Sequence, residues 1–178
     1  MSERTGLRRR VRALRHEIWA PLTSGLLMLL VGLIGLVTAQ PLLFPSLGPT
    51  AFLQTEAPDQ PSSRVYNVLV GHAAGLVAGY AAVLVLHADG APALFAVHQL
   101  VAVRVWASTL AIVLTMLGSA LLKASHPPAA ATTLLISLGG FRPTVHDALT
   151  IVVGVLIVAV AGEGLRHLRR DTSVEPSS

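Results

Sequence analysis

The sequence predicts an all-α membrane protein, with four transmembrane helices and two re-entrant half-helices between them. Three observations predict it. Of the 178 residues, 53% are hydrophobic and only 12% charged, against about a quarter charged in an ordinary soluble domain. From Pro21 to Tyr66 the only charged residues are Glu56, Asp59 and Arg64. Four apolar runs each approach the ~20 residues that a spanning helix needs.

Residues 1–17 are a basic segment, with Arg4, Arg8, Arg9, Arg10, Arg12 and Arg15 ahead of the first apolar run. The first span is Ile18 to Ala39. Its basic start and the Val37-Thr38-Ala39 triplet resemble a secretory signal, but the apolar run from Leu22 is long for one, so a retained helix is expected. Next comes QPLLFPSLGPTAFLQTEAPDQPSSR, Gln40 to Arg64: helix breakers, a run from Thr50 to Leu53 too short to span, and a polar exit. The second span is Val65 to His87 and the third Ala93 to Leu122. KASHPPAAATTLLISLGG follows, residues 123–140, then FRPT to Thr144; a serine, a histidine and two prolines precede the short run Ala129 to Leu138. The fourth span, Val145 to Leu165, closes a transmembrane domain of residues 18–165. Residues 166–178 are a tail bearing Arg166, Arg169 and Arg170, whose polar end, Asp171 to Ser178, is expected to be disordered.

Four spans put both termini on one side. That side would hold the nine terminal arginines and Arg104, and the other Arg64, Lys123 and Arg142. The positive-inside rule then makes both termini cytoplasmic. This also accounts for the net charge of +4, from 13 basic and 9 acidic residues, without calling on nucleic acid. The composition favours a bacterial inner membrane.

The two short runs suit half-helices, because non-helical backbone survives at membrane depth only when buried in protein or facing a water-filled cavity. A shift of 79 residues sets Ser46 on Ser125, Pro49 on Pro128 and Gly75 on Gly154. It suggests a parallel two-fold repeat of helix, half-helix, helix, both half-helices dipping in from the same side. Paired interrupted segments in two halves point to a transport site.

Ser125 is expected to cap the second half-helix, with Pro127 and Pro128 at its start. Gly48, Pro49 and Thr50 do the same for the first. A helix N-terminus presents free N–H groups and about half a positive charge, so two such ends aimed at one point suit a small anion. The prolines lack N–H groups, and hydroxyls or imidazole from Thr50, Ser125, His126, Thr132 and Thr133 would make up the donors. For the prolines the alternative is that they only turn the chain. His126 sits at the mouth of the half-helix, able to donate to an anion or carry a proton. His72 lies inside the second span, where a polar side chain faces the bundle or a cavity; an interhelical hydrogen bond is its plainer role. Gly71, Gly75 and Gly79 form a close-packing face, internal or between subunits. Glu163 can pair with Arg166 or His167.

No nucleophile elbow, P-loop, HExxH motif or carboxylate dyad is present, so no enzyme is expected. With no cysteine and no carboxylate at ligand spacing beside His72 and His126, neither a metal nor a cofactor is expected.

FPSLGPTAFL (Phe44 to Leu53), the QP at Gln60 and Pro61, NVLVGH (Asn67 to His72) and SHPPAAATTL (Ser125 to Leu134) together resemble the HPP family of integral membrane proteins, named for its His-Pro-Pro motif. Many members have glycine where this chain has Ala130, and arginine directly after the QP, where Ser62 and Ser63 intervene here. The resemblance implies four transmembrane helices and a transport role; plant members are associated with nitrite. The expected function is thus a transporter or channel for a small monovalent inorganic anion, nitrite-like, in a homo-oligomer surrounded by lipid. Ser46, Gly48, Pro49, Thr50, His72, Ser125, His126, Pro127, Pro128 and Thr132 would line its site. The rival is a non-transporting scaffold, or a subunit of a larger membrane complex, that associates through the Gly71, Gly75, Gly79 face.

Overall fold

The computed structural model describes the backbone of residues 2–171 and the side chains of residues 18–168. The expected disordered tail from Asp171 to Ser178 lies outside the described residues, apart from the backbone of Asp171. The described residues form helices and no strand: α1 (Ser2–Thr38), α2 (Leu47–Glu56), a 3-10 turn (Pro61–Ser63), α3 (Val65–Val85), α4 (Leu94–Val97), α5 (Ala102–Leu121), α6 (Ala129–Ser137) and α7 (Val145–Asp171).

Four stretches are long and apolar enough to cross a membrane: Ile18–Thr38, Val65–Val85, Ala102–Leu121 and Val145–Leu168. The third starts at Ala102 rather than at the expected Ala93. The four residues of α4 stop at His98, which takes the left-handed conformation (φ 52°), and a non-helical stretch to Val101 separates them from α5. Three spanning helices end in the same way. Ala39, His87 and Lys123 adopt left-handed backbone, and the next amide closes a six-residue ring: Gln40 N to Gly35 O (3.0 Å), Ala88 N to Val83 O (2.8 Å), Ala124 N to Ser119 O (2.9 Å). This satisfies carbonyls that the helix leaves open.

Contacts between helix ends fix the direction of each segment. At one end, Thr55 of α2 meets Ser24 of α1 (Oγ1–Oγ 2.6 Å), and Gln54 donates to Ala159 O of α7 (3.4 Å). There too Ser63 donates to Leu53 O (3.0 Å), Tyr66 to Leu122 O (2.9 Å) and Asn67 to Ser125 O (3.1 Å). The membrane portions of α1 and α3 therefore begin, and α2, α5 and α7 finish, at this near end. At the far end, Leu94 N bonds Leu138 O (3.0 Å), Arg104 reaches Ser137 O (3.1 Å) and Tyr80 donates to Thr144 O (3.0 Å).

α2 thus leaves from the end where α1 finishes and runs to the opposite one, and α6 does the reverse. This corrects the expected pair of half-helices that enter and leave on the same side. A ten-residue helix covers only about 15 Å, half of a ~30 Å hydrocarbon core. The rest is covered by extended lead-ins, at about 3.3 Å per residue. In the first lead-in Leu42, Phe44 and Ser46 are buried while Pro41, Leu43 and Pro45 are exposed; in the second Ala124, His126 and Pro128 are buried while Lys123, Ser125 and Pro127 are exposed. Such alternation is the period of extended chain.

The repeat is correspondingly inverted, not parallel. α1 packs on α2, α2 on α7 and α1 on α7; α5 packs on α6, α6 on α3 and α5 on α3. The two triplets α1–α2–α3 and α5–α6–α7 share one packing scheme and run in opposite senses. The 79-residue register does not carry over at the breaks, because it pairs a buried Ser46 with an exposed Ser125.

Gly71, Gly75 and Gly79 face inward onto the second broken segment. A Cβ on Gly71 would lie 2.7 Å from His126 Cβ, one on Gly75 2.8 Å from both Ala129 O and Thr133 Oγ1, and one on Gly79 3.0 Å from Ile136 Cβ. The second triplet makes the matching concession at Gly154, where Phe44 Cε1 and Leu42 O come within 2.7 and 3.0 Å of such an atom. Phe44 also meets Phe141 edge-on, centroids 5.7 Å apart.

Candidate functional site

The two broken crossings meet at Thr50. Its hydroxyl donates to Ser46 O four residues back (2.9 Å), as threonine does in a helix when its oxygen can reach the preceding turn. The same oxygen lies 2.9 Å from His72 Nε2 and 3.2 Å from His126 Nε2. His72 Nδ1 is 2.7 Å from Thr132 Oγ1, and Thr132 donates to Ser46 Oγ at 2.7 Å. His126 Nδ1 donates to Ser62 O at 2.8 Å. The imidazole centroids are 4.9 Å apart with the rings tilted by 59°. Ser46, Thr50 and Thr132 are fully buried, and His72 and His126 are 2% and 4% exposed.

Each group reaches this point for a local reason. His126 points inward because it holds the buried phase of an extended lead-in, and Gly71 leaves room for its Cβ. Ser46 is the N-cap residue of α2, yet its side chain makes no capping bond; it accepts from Thr132 instead. His72 is two turns into α3, on the face that α6 covers.

A second layer supports the first. Thr133 donates to Ala129 O (3.1 Å) and pairs with Thr115 of α5 (2.8 Å). Ser137 pairs with Ser108 (2.8 Å). Arg104, 4% exposed, donates to Ser137 O (3.1 Å), Ala91 O (2.8 Å) and Pro92 O (3.3 Å). Its charge therefore sits at the C-terminal end of α6, where carbonyls lack helical partners and a cation is favourable. In the sequence alone, Arg104 reads only as charge beside a loop.

Of the ten residues expected at the site, the structure gathers Ser46, Thr50, His72, His126 and Thr132. Pro128 is buried and serves as the N-cap of α6. This corrects the capping role given to Ser125, whose exposed side chain lies on the outer phase of the lead-in. Pro127 and Pro49 are exposed as well, and Gly48 is half-buried with nothing within 4 Å of where its Cβ would lie. The Ser62 carbonyl and the α5 hydroxyl of Thr115 were missed; neither a main-chain acceptor nor a threonine in an apolar run carries a sequence signal.

Beside His72 lies a cavity of about 180 Å³ between α3 (Leu69 to Leu76) and α7 (Ile151 to Leu156), lined by aliphatic side chains apart from that imidazole. Among the described residues no three histidine, cysteine or acidic side chains gather as a metal site would require. At the near end of α7, Glu163 pairs with Arg166 and with His167, 3.1 Å away.

No curated protein and no solved structure matches the chain. The family profile described as HPP, transmembrane region, matches residues 9–172. That match takes in all four candidate membrane spans and both broken crossings, and the His-Pro-Pro motif falls at the point where the second crossing turns from extended chain to helix; the chain belongs to the HPP transmembrane family.

Proposed function

We propose that the chain transports a small monovalent anion, nitrite-like, across a bacterial inner membrane, and that it does so as a homo-oligomer without acting as an enzyme. The observation that carries this reading is the convergence of two interrupted crossings on one buried polar cluster centred on Thr50. Interruption gives up helical hydrogen bonds at membrane depth, where each unmet polar group costs several kcal/mol. Such breaks are the usual location of a transport site between inverted repeats. Ser46, Thr50, His72, His126 and Thr132 supply polar hydroxyl and imidazole groups without a fixed negative charge.

The crossing directions, read with the basic residues, support one orientation. The near end carries the terminal arginines by sequence, together with Arg64 and Lys123, and leaves Arg104 and Arg142 to the far end. The basic bias is larger than four re-entrant-linked spans would give, and it favours a cytoplasmic near end. The scaffold reading loses its main support, because the face of Gly71, Gly75 and Gly79 is occupied by the chain's own second crossing.

The test is nitrite flux into proteoliposomes holding the purified protein. Flux that His126→Ala abolishes and Ser125→Ala preserves agrees with the proposal. Absence of flux of nitrite, nitrate, formate and chloride from folded protein refutes it.

A further inference from the structure

Counting protons in the central cluster leads past a passive anion site. Ser62 O can only accept, so His126 Nδ1 carries a hydrogen. Thr132 gives its single hydroxyl proton to Ser46 Oγ, so the 2.7 Å contact with His72 requires a hydrogen on His72 Nδ1. A neutral imidazole carries one N–H. Both Nε2 atoms are then bare lone pairs, and both converge on the Thr50 oxygen, at 2.9 and 3.2 Å. That hydroxyl has one proton for three acceptors: Ser46 O and the two Nε2 atoms. With both rings neutral the cluster is short of protons.

One added proton repairs most of the shortfall. Placed on either Nε2, it makes that ring a donor to Thr50 Oγ1, and the Thr50 proton is free to turn to the other ring. The two placements interconvert when Thr50 passes its own hydrogen on as it accepts another: one N–H bond and one O–H bond break, one O–H bond and one N–H bond form, and the charge moves from ring to ring. A second proton would put like charges on rings whose centroids are 4.9 Å apart, which disfavours it.

We infer that His72, Thr50 and His126 form a relay holding one exchangeable proton, and that this proton travels with the transported anion. The coupling rests on the anion reading above, whereas the proton site rests on the hydrogen-bond geometry alone. The surroundings leave the relay to these groups. α2 presents the hydroxyls of Ser46 and Thr50, α6 that of Thr132, the 3-10 turn the Ser62 carbonyl, and α7 the aliphatic Ile151 and Val155; α5 contributes Thr115, which bonds Thr133. Among the described residues, the titratable side chain that faces each ring is the other ring. The relay joins α2, α3 and the lead-in to α6, so moving its proton changes the bonding at the point where the two inverted triplets touch.

The experiment uses the full-length protein, with nitrogen-15-labelled histidine, in lipid nanodiscs. Resonances are assigned with His72→Gln and His126→Gln and followed across pH. The expected result is that both Nε2 resonances move together in one step while both Nδ1 atoms stay protonated. Thr50→Val, which keeps the side-chain shape, should make the rings titrate separately, and Thr50→Ser should restore the joint step. Independent titration in the wild type, joint titration that persists in Thr50→Val, or no Nε2 protonation while circular dichroism still reports folded protein would each overturn the relay. In proteoliposomes, one proton per nitrite predicts about tenfold nitrite accumulation for each unit of pH difference, lost in Thr50→Val. Accumulation indifferent to the gradient overturns the coupling. A joint titration without any flux removes the anion reading and retains the proton site.

Discussion

Alanine scanning of the glycines tests whether close packing onto α6 builds the site. At Gly75 the new Cβ would lie 2.8 Å from Ala129 O and 2.8 Å from Thr133 Oγ1. Neither atom retreats cheaply: the first is helix backbone, and the second is held by Thr115. Overpacking of this kind costs about 1–3 kcal/mol, offset by the ~0.5–1 kcal/mol that alanine gains over glycine within a helix. Gly75→Ala should therefore lose up to about 2.5 kcal/mol, with a central value of about 1 kcal/mol. Gly25 has nothing within 4 Å of its Cβ position, and Gly118 meets only Ala74 Cβ at 3.6 Å, so alanine there should gain the propensity term, about 0.5–1 kcal/mol. For a chain of this size each kcal/mol moves Tm by about 2–4 °C. The assay is thermal unfolding in one detergent by far-UV circular dichroism, with light scattering to follow assembly. Equal stability of Gly75→Ala and Gly25→Ala would refute the reasoning. So would a Gly75→Ala protein that changes its oligomeric state at unchanged stability, since that would place the glycine face between subunits.

Three further outcomes are expected. Arg104→Met leaves Ser137 O, Ala91 O and Pro92 O without their donor; at about 1.5–3 kcal/mol for each bond to a charged group, and with the two loop carbonyls partly rehydrated, the loss should be about 3 kcal/mol, which chemical denaturation will measure and Arg104→Lys should recover by less than half. The chain has no cysteine, so single cysteines at Lys123 and Arg142 can be labelled from either face of a sealed vesicle. Lys123→Cys should react from the face that holds the N-terminus and Arg142→Cys from the opposite one, and labelling of both from one face would contradict the crossing of α6. Ala39→Gly should raise Tm, because a left-handed backbone (φ 52°) costs a non-glycine residue about 1–2 kcal/mol; an unchanged or lower Tm counts against strain at that helix end.

Hydropathy made the four spanning helices legible, closely except at the start of the third, which lies at Ala102 and not Ala93, since the cost of polar groups in hydrocarbon leaves little freedom there. It also made the two interruptions legible, from Pro41 to Pro49 and from Ser125 to Pro128. It said nothing about where each interruption leads. A short apolar run reads the same whether the chain turns back or goes on, and the lead-ins that complete the crossings look like loops until their burial alternates, as from Leu42 to Ser46. The assumption of a turn back reversed the repeat and placed Arg64 and Lys123 at the wrong end. Within the site, Thr50, His72, His126 and Thr132 were singled out because polar side chains are scarce in this chain. Ser125 was chosen by a helix-capping rule that presumes the helix begins directly after the serine; two prolines in succession delay it until Ala129. Arg104 was misplaced because charge near a span end reads as solvent-exposed, whereas three main-chain carbonyls hold it inside.

The shared cluster also sets an order for making the protein. Ser46, Thr50 and His72 belong to the first three crossings, yet two of their partners, His126 and Thr132, come from the second broken crossing, one on its lead-in and one in α6. His72 must await Thr132, 60 residues later, which at 5–20 residues per second is about 3–12 s of synthesis. Through that interval the first triplet lies in or beside the membrane with unmatched polar groups, and its broken crossing has no cover from α7 over Phe44. Insertion in two independent halves would strand those groups in lipid. The cell must therefore hold the early helices next to the insertion machinery, or in a wet environment, until the second triplet arrives, and a chain stopped shortly after α3 should be a substrate for membrane quality control.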